Sequence, residues 1–338
     1  MKKSLMTLGV LALFVLMAYG QEKKFALYSV AFYNMENLFD TIHDEGKNDY
    51  EYLPNGTNQW NTMKYKAKLK NMSEILSMLS TDKLPMGPAI IGVSEIENYR
   101  VLEDILKQPA LADRGYQYVH YEGADQRGVD CAFFYNPKLF ELTNSKLVPY
   151  VYINDTVHKT RGFLIASGNI AGEKMHFIVN HWPSRAAASP ARERAGEQVR
   201  AIKDSLLRED SAAKIVIMGD MNDDPMDKSM AVALGAKRKP ADVGPTDLYN
   251  PWWDTLKKGY GTLMYKGKWN LFDQIVFTGN LLGTDRSTLK FYKHEIFRRD
   301  FMFQKEGKYK GYPKRTQAGG VWLNGYLSLI HISEPTRL

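Results

Sequence analysis

Residues 216–225 read Val-Ile-Met-Gly-Asp-Met-Asn-Asp-Asp-Pro, an apolar run that ends on a glycine, a cluster of polar groups and a proline. A short apolar run closed by turn residues reads as a buried strand. Strand periodicity then places Asp220 and Asn222 on the same side of a sheet edge. A plain turn needs only one such residue, whereas here a glycine precedes a carboxylate and an amide and further acids follow. We therefore read the segment as a site rather than a connection. Four other segments of this kind carry Asn34 and Asn37, Glu95, His181 and Asp273. The stretch 25–33 has apolar residues on both parities, which requires a sheet covered on both faces.

Residues 1–20 combine a basic start, an apolar stretch from Leu5 to Ala18 and small residues at 18 and 20, the layout of a cleaved export signal. No cysteine follows the stretch, which disfavours a lipid anchor; the expected location is secreted or periplasmic, with no stable membrane anchor. Residues 25–326 contain no Pro/Gly/Ser linker and no internal repeat, so they read as one domain. Cys131 is the only cysteine, which rules out an intrachain disulfide and leaves it as a buried strand residue. A formal net charge of +7 suits polyanionic or membrane-surface partners without selecting one.

Strands are expected over 25–33, 89–93, 116–121, 128–135, 146–152, 163–168, 175–180, 213–218 and 273–278. Helices are expected over 60–79, 99–105, 190–207 and 228–234, with a surface loop at 41–59 and a Gly-, Tyr- and Arg-rich stretch at 307–320. The strands at 163–168 and 175–180 pair as a hairpin around Ala171-Gly172. Strands interleaved with helices and hairpins imply an α/β fold of two packed mixed sheets with helices outside.

A hard dication such as Mg2+ takes oxygen ligands from one or two carboxylates, with water and substrate phosphate completing its shell. Glu95 follows a buried strand with no ionic partner adjacent in sequence and is the expected metal ligand; the competing role is a helix N-cap. His181 can hold or release a proton near neutral pH, serving as a general acid or offsetting charge on phosphorus. Asn180, Arg185 and Arg127 are expected at the substrate phosphate, Arg185 through a bidentate contact. Asn34 orients a ligand or the metal-bound carboxylates, while Glu36 and Asn37 fix the loop. Asp130, across Gly128 from Arg127, offers an orienting carboxylate, although an Arg127–Asp130 salt bridge is a complete alternative. Asp273 begins a buried strand, where an unpaired acid is rare; it orients a histidine or sits near the metal. Together these groups point to a divalent metal and a phosphate ester.

From Phe25 to Tyr326 the sequence resembles the endonuclease/exonuclease/phosphatase superfamily, the fold of DNase I, the abasic-site endonucleases, inositol polyphosphate 5-phosphatases and bacterial sphingomyelinases. Ordered motifs carry the resemblance: the Asn34 strand end, Glu95, Arg127-Gly128-Val129-Asp130, Asn180-His181, Gly219-Asp220-Met221-Asn222 and Asp273. The resemblance implies a four-layer α/β sandwich of the DNase I type. It also implies Mg2+, with Mn2+ or Ca2+ as substitutes, held chiefly by Glu95 with support from Asn34. Asp220 would orient or deprotonate the attacking water, Asn222 would contact the scissile phosphate, and His181 would stabilise developing charge. Asp273 would pair with a closing histidine, and hydrolysis would be direct.

Such proteins usually finish with Ser-Asp-His just after a Gly-Tyr. Gly325-Tyr326 is present, but the expected Asp and His are not, and His331 comes too late to match. Residues 327–337 correspond codon for codon to a transposase-end adapter, so residues 327–338 are expected to be a tail foreign to the domain, with the closing strand missing. The function expected is that of an exported, monomeric, Mg2+-dependent endonuclease or phosphodiesterase acting on nucleic acid, with Trp182, Trp252, Trp253 and Trp269 near the rim. The alternatives are a sphingomyelinase-like enzyme or small-molecule phosphatase, and a non-catalytic binding protein on the same scaffold. For the lipid reading, Trp252-Trp253 is the nearest membrane-contact candidate. A chain continuing Ser-Asp-His after Tyr326 is expected to be far more stable and active than the chain as written. Equal activity of the two in a phosphodiesterase assay would overturn that expectation.

Overall fold

In a computed structural model, the described residues are 26–326 apart from 154, 156 and 319, together with the backbone of 330–337. The expected export signal lies outside the described residues. The chain opens with strands β1 (Ala26–Leu27) and β2 (Val30–Leu38), helix α1 (Thr62–Met78), strand β3 (Ile90–Ile96), helix α2 (Tyr99–Leu106) and strands β4 (Gln117–His120) and β5 (Asp130–Tyr135). Then come β6 (Glu141–Val148), β7 (Phe163–Ile170), β8 (Glu173–His181), helix α3 (Ser189–Glu209) and β9 (Lys214–Asp220). The remainder holds β10 (Ala236–Lys237), β11 (Leu248–Tyr249), helix α4 (Trp252–Lys257), β12 (Leu263–Tyr265), β13 (Lys268–Asn270) and β14 (Asp273–Thr278). It closes with β15 (Lys290–Phe297), β16 (Gln317–Ala318), β17 (Val321–Trp322) and β18 (Ile330–Arg337).

Two seven-stranded sheets form, in the orders β1-β18-β2-β3-β5-β4, with β15 on β18, and β10-β11-β14-β9-β8-β7-β6. Period-two alternation sorts their side chains. Phe32, Ile90 and Phe133 of the first sheet meet Phe177, Val179 and Met218 of the second in a core between the sheets. The opposite parity of the first sheet, including Tyr33, Val93 and Phe134, packs on α1 and α2. Ile178, Ile215 and Ile217 pack on α3 through Ala195, Val199 and Leu206. The result is the expected four-layer α/β sandwich.

Local signals set the helix starts. The Asn61 side chain caps Lys64 N at 3.1 Å, Asn98 caps Arg100 N at 2.9 Å, and Pro190 lies in the first turn of α3. The hairpin turn at Ala171 and Gly172 has φ of 51° and 78°, the paired positive values a two-residue turn demands. Three elements differ from expectation. β6 starts at Glu141 and stops at Val148, because Pro149 cannot donate to the ladder. The segment expected as a helix at 228–234 is a π-helical turn at Ser229–Ala233. The first expected strand splits into β1 and β2 and runs on to Leu38. The expected gap beside β2 is closed, since the backbone of β18 pairs antiparallel with it, residue 331 opposite Phe32. Cys131 is buried in β5, as expected.

The pairing directions place the site. β2 and β3 run parallel, as do β8 and β9, so their C-terminal tips reach one rim, where ligands bind in open α/β sheets. His181 lies beside Asp220, and antiparallel β14 starts at the same rim with Asp273 opposite Asp220. Gly219 lets β9 approach β8 here: a Cβ on it would collide with the Asn180 carbonyl. Among the described residues no helix is long and apolar enough to cross a membrane. Gly219→Ala is expected to lose about 1–3 kcal/mol in urea unfolding, the usual cost of overpacking. An unchanged midpoint would contradict this close approach.

Candidate active site

Backbone irregularities aim the rim side chains. The ladder between β2 and β3 breaks between Asn34 and Leu38, and that between β3 and β5 breaks between Ser94 and Ile96. Such bulges turn a side chain out of the strand alternation. At these breaks and at the end of β9, Glu36, Asn37, Glu95 and Asn222 have φ of 49°, 55°, 58° and 52°. Left-handed backbone at non-glycine residues costs on the order of 1–3 kcal/mol each and persists only where the surroundings enforce it. Here the Asn37 N–H donates to Glu95 Oε2 at 2.9 Å, and buried Lys68 donates to the carbonyls of Glu36 and Asn37. Burial pushes the Lys68 ammonium down to about 8.

The two sheets meet through these tips. Asn34 Nδ2 donates to Asp220 Oδ2 at 3.0 Å, and His181 Nε2 lies 3.6 Å from Glu95 Oε1 and 4.0 Å from Asp220 Oδ2. Ligand atoms of Glu95, His181 and Asp220 all fall within 4.8 Å of one another. Asn34, Asn37, Glu95, Asp220, Asn222 and Asp273 line one cleft of about 220 Å3. Burial first, and then the Glu95 carboxylate, push Asp220 up to about 6. Burial, reinforced by Arg161 and Arg127, holds His181 well below its ordinary value, so its imidazole is neutral. Its Nδ1 is buried without a hydrogen-bond partner among the described residues. Two crowded carboxylates, one destabilised as an anion, form a donor set that favours a bound cation, and their oxygens suit a hard dication.

Several residues sit where sequence reasoning did not put them. Asp220 ends its strand, so Asn222 reaches the cleft through a left-handed turn instead of strand periodicity; its N–H donates to Asp220 Oδ1 at 2.9 Å and its Nδ2 to the Trp182 carbonyl at 3.0 Å. Asn34 accepts from the Glu36 N–H at 2.8 Å through its oxygen while its Nδ2 orients Asp220. Asn180 is wholly buried and donates to the Ile178 and Met218 carbonyls, out of a phosphate's reach. Arg185 is held by Asp223, Asp224 and Asp227 and stacks 4.3 Å from the centre of the Phe272 ring. The Arg127–Asp130 pair does not form. Arg127 lies 3.5 Å from Asp125, and Asp130 accepts from Gly123 N at 3.0 Å with His120 Nε2 at 3.2 Å. Trp182 and Trp252 are core residues and not rim aromatics.

Two residues, Arg161 and Arg315, were missed, and Glu36 reaches further than the loop it was expected to fix. Arg161 donates to Asp125 Oδ2 at 3.0 Å and to the Trp182 carbonyl at 2.9 Å, joining the Arg127 loop to the carbonyl that holds Asn222. Glu36, pushed up by burial, accepts from Thr316 N at 2.7 Å, and Arg315 lines the cleft beside it at 3.4 Å. The one local signal for Arg161 was an arginine two residues before the apolar run 163–166, across Gly162.

The family model described as Endonuclease/Exonuclease/phosphatase family matches residues 29–332. A solved protein of that family from Bacteroides thetaiotaomicron superimposes with a TM-score of 0.58 at 14% identity, covering 93% of this chain and 96% of that one. A mannosyl-6-phosphatase of B. thetaiotaomicron VPI-5482 gives 0.56 at 13% identity, with coverage of 91% and 99%. D. rerio TDP2 complexed with single strand DNA product gives 0.54 at 14%, with coverage of 91% and 99%. At these identities the likenesses establish the fold alone. No curated protein matches the chain.

An acid whose folded pKa is raised keeps a proton that the unfolded chain releases, so stability is lost as pH rises through the interval between the two values. For Asp220 that interval runs from 3.8 to about 6. Without divalent ions, the parent is expected to lose stability relative to Asp220→Asn across it, by up to about 3 kcal/mol. Mg2+ at neutral pH should raise the parent's melting temperature and leave Glu95→Gln unmoved. A parent–variant gap independent of pH would contradict the buried-anion assignment.

Proposed function

The chain belongs to the endonuclease/exonuclease/phosphatase family, whose members are divalent-metal-dependent hydrolases, and on that premise we propose that it is an exported, Mg2+-dependent phosphodiesterase that cleaves nucleic acid. The observation that carries the reading is the meeting of Glu95, His181 and Asp220 from two sheets at one cleft. Glu95 and Asp220 would hold the ion, which, when bound, supplies charge neutralisation at the phosphate and acidifies a water.

The chain's own groups divide the remaining work. Asp220 is placed to orient the attacking water or accept its proton. Asn34 and the Asn222 N–H fix its two oxygens. Asn222 lines the cleft to meet a phosphate oxygen. His181, being neutral, offers one N–H or one proton acceptor but no net charge. Positive charge from protein at the phosphate therefore falls to Arg127, whose field reaches His181, and to Arg315 in the cleft wall.

Nucleic acid is favoured by the single-strand DNA product held by one structural neighbour, and the net charge of +7 is compatible with it. The segment at 1–20 supports export. A lipid substrate is disfavoured because Trp252 is buried and donates to the Ile275 carbonyl, which removes half of the candidate membrane contact. A small phosphomonoester is the second reading, favoured by the mannosyl-6-phosphatase among the neighbours.

With Mg2+, the protein is expected to hydrolyse single-stranded DNA or RNA and bis-p-nitrophenyl phosphate, but not sphingomyelin or mannose 6-phosphate. Glu95→Ala and His181→Ala should each lower the rate by roughly a hundredfold or more. Full activity in Glu95→Ala would overturn the site assignment. Phosphate release from the sugar phosphate alone would select the second reading.

A further inference from the structure

The catalytic cleft does not end at its carboxylates. Leu263 and Arg315 in its wall also line a second cavity of about 450 Å3. One side of that cavity is the β12–β13 hairpin with Tyr265 and Lys266, and the other is the 304–323 segment with Lys308, Tyr309 and Tyr312. Tyr265 is 62% exposed and Tyr309 56% exposed, large aromatic surfaces that the fold leaves uncovered. Each carries a cation: Lys266 Nζ lies 5.3 Å from the Tyr265 ring centre, and Lys308 Nζ 5.6 Å from that of Tyr309. Tyr312 buttresses Tyr309 edge-on at 5.5 Å. No carboxylate is among the residues lining the cavity.

The 304–323 wall is built and fastened to the catalytic loop. Thr316 N donates to Glu36 Oε2 at 2.7 Å, Lys314 N to the Met302 carbonyl at 2.8 Å, and Asn71 Nδ2 to Asn324 Oδ1 at 2.9 Å. Glu36 thus ties this wall to the strained turn beside Glu95. Arg315 uses only its Nε on Glu36, and its terminal nitrogens have no hydrogen-bond partner among the described residues.

We propose that this second cavity is a base-stacking subsite. The enzyme takes a single-stranded nucleic acid whose nucleotide adjoining the scissile phosphate stacks on Tyr265 or Tyr309, with Arg315, which lines both cleft and cavity, at that phosphate. The inference rests on the phosphodiesterase reading above and specifies its substrate. Tyrosine faces interleaved with cations are the chemistry of single-strand grooves. A base within a duplex has both faces covered by its neighbours, so only an unpaired base has a face to give. A quaternary ammonium headgroup also seeks aromatic faces, but Lys266 and Lys308 would repel it.

The test uses the full chain with Mg2+ and three substrates: a single-stranded DNA 12-mer, the same 12-mer with every base replaced by an abasic spacer, and bis-p-nitrophenyl phosphate. The 12-mer should be cleaved with a kcat/KM about tenfold or more above its abasic counterpart, the order of one lost base–aromatic stack. At least one of Tyr265→Ala and Tyr309→Ala should lower kcat/KM on the 12-mer by a similar factor and leave the other two substrates unchanged. Both side chains are largely exposed, so the fold tolerates their removal. Equal cleavage of the normal and abasic strands, or a loss shared by all three substrates, would overturn the subsite while leaving the phosphodiesterase reading intact. Hydrolysis of bis-p-nitrophenyl phosphate with neither strand cleaved would overturn the subsite and the nucleic-acid part of that reading together.

Discussion

The contact between Asn34 of one sheet and Asp220 of the other, 3.0 Å long, is the bond on which the rest of the site depends. It crosses the seam where two sheets that share one apolar core come together, and it holds a buried carboxylate within reach of the second acid and the imidazole. Those acids repel each other, and burial penalises the charge on Asp220. The fold opposes that repulsion with left-handed turns at Glu36, Asn37, Glu95 and Asn222 and with buried Lys68 beneath the loop. Local conformational strain and unfavourable electrostatics therefore occupy the same few residues, as expected of a site shaped for a ligand and not for stability alone.

Much of this was legible in the chain because it follows from short-range rules. The apolar run ending at Asp220, the strand before Glu95 and the β7–β8 hairpin are all set by period-two patterning and turn chemistry, and the structure has them. Residue type singled out Glu95, His181 and Asp220, and the structure brings their side chains together. What patterning does not carry is a side chain's final partner. Asn180 sits next to His181 in sequence, yet strand alternation turns it into the outer core. Arg185 is as close, but a cluster of aspartates captures it. Arg127 and Asp130 are separated by a turn that sends one to Asp125 and the other to His120. Arg161 and Arg315 matter through tertiary contacts, and Glu36, expected only to fix its own loop, reaches Thr316 and Arg315 in the same way, so sequence neighbours gave little notice of these roles. The tryptophans misled for a simpler reason: a large aromatic is more often core than rim, and Trp252 and Trp182 are core.

The division of labour between sheets and loops follows from the same physics. Paired strand tips fix Glu95, His181, Asp220 and Asp273, because a packed ladder has little freedom to move them. The β12–β13 hairpin and the 304–323 segment lie outside both large sheets and carry the exposed tyrosines and lysines. Rigid chemistry beside a variable wall is the usual arrangement when one scaffold serves many substrates. Glu36 connects the two, bonded at once to the wall and seated on the catalytic turn.

The most direct measurement is a crystal soaked in Mn2+ and examined by anomalous diffraction at the manganese edge. One strong peak between the carboxylates of Glu95 and Asp220, with Asn34 still bonded to Asp220, is the result predicted here. A peak at the His120, Glu122 and Asp130 cluster instead, or Glu95 and Asp220 turned away from each other with no metal between them, would contradict it.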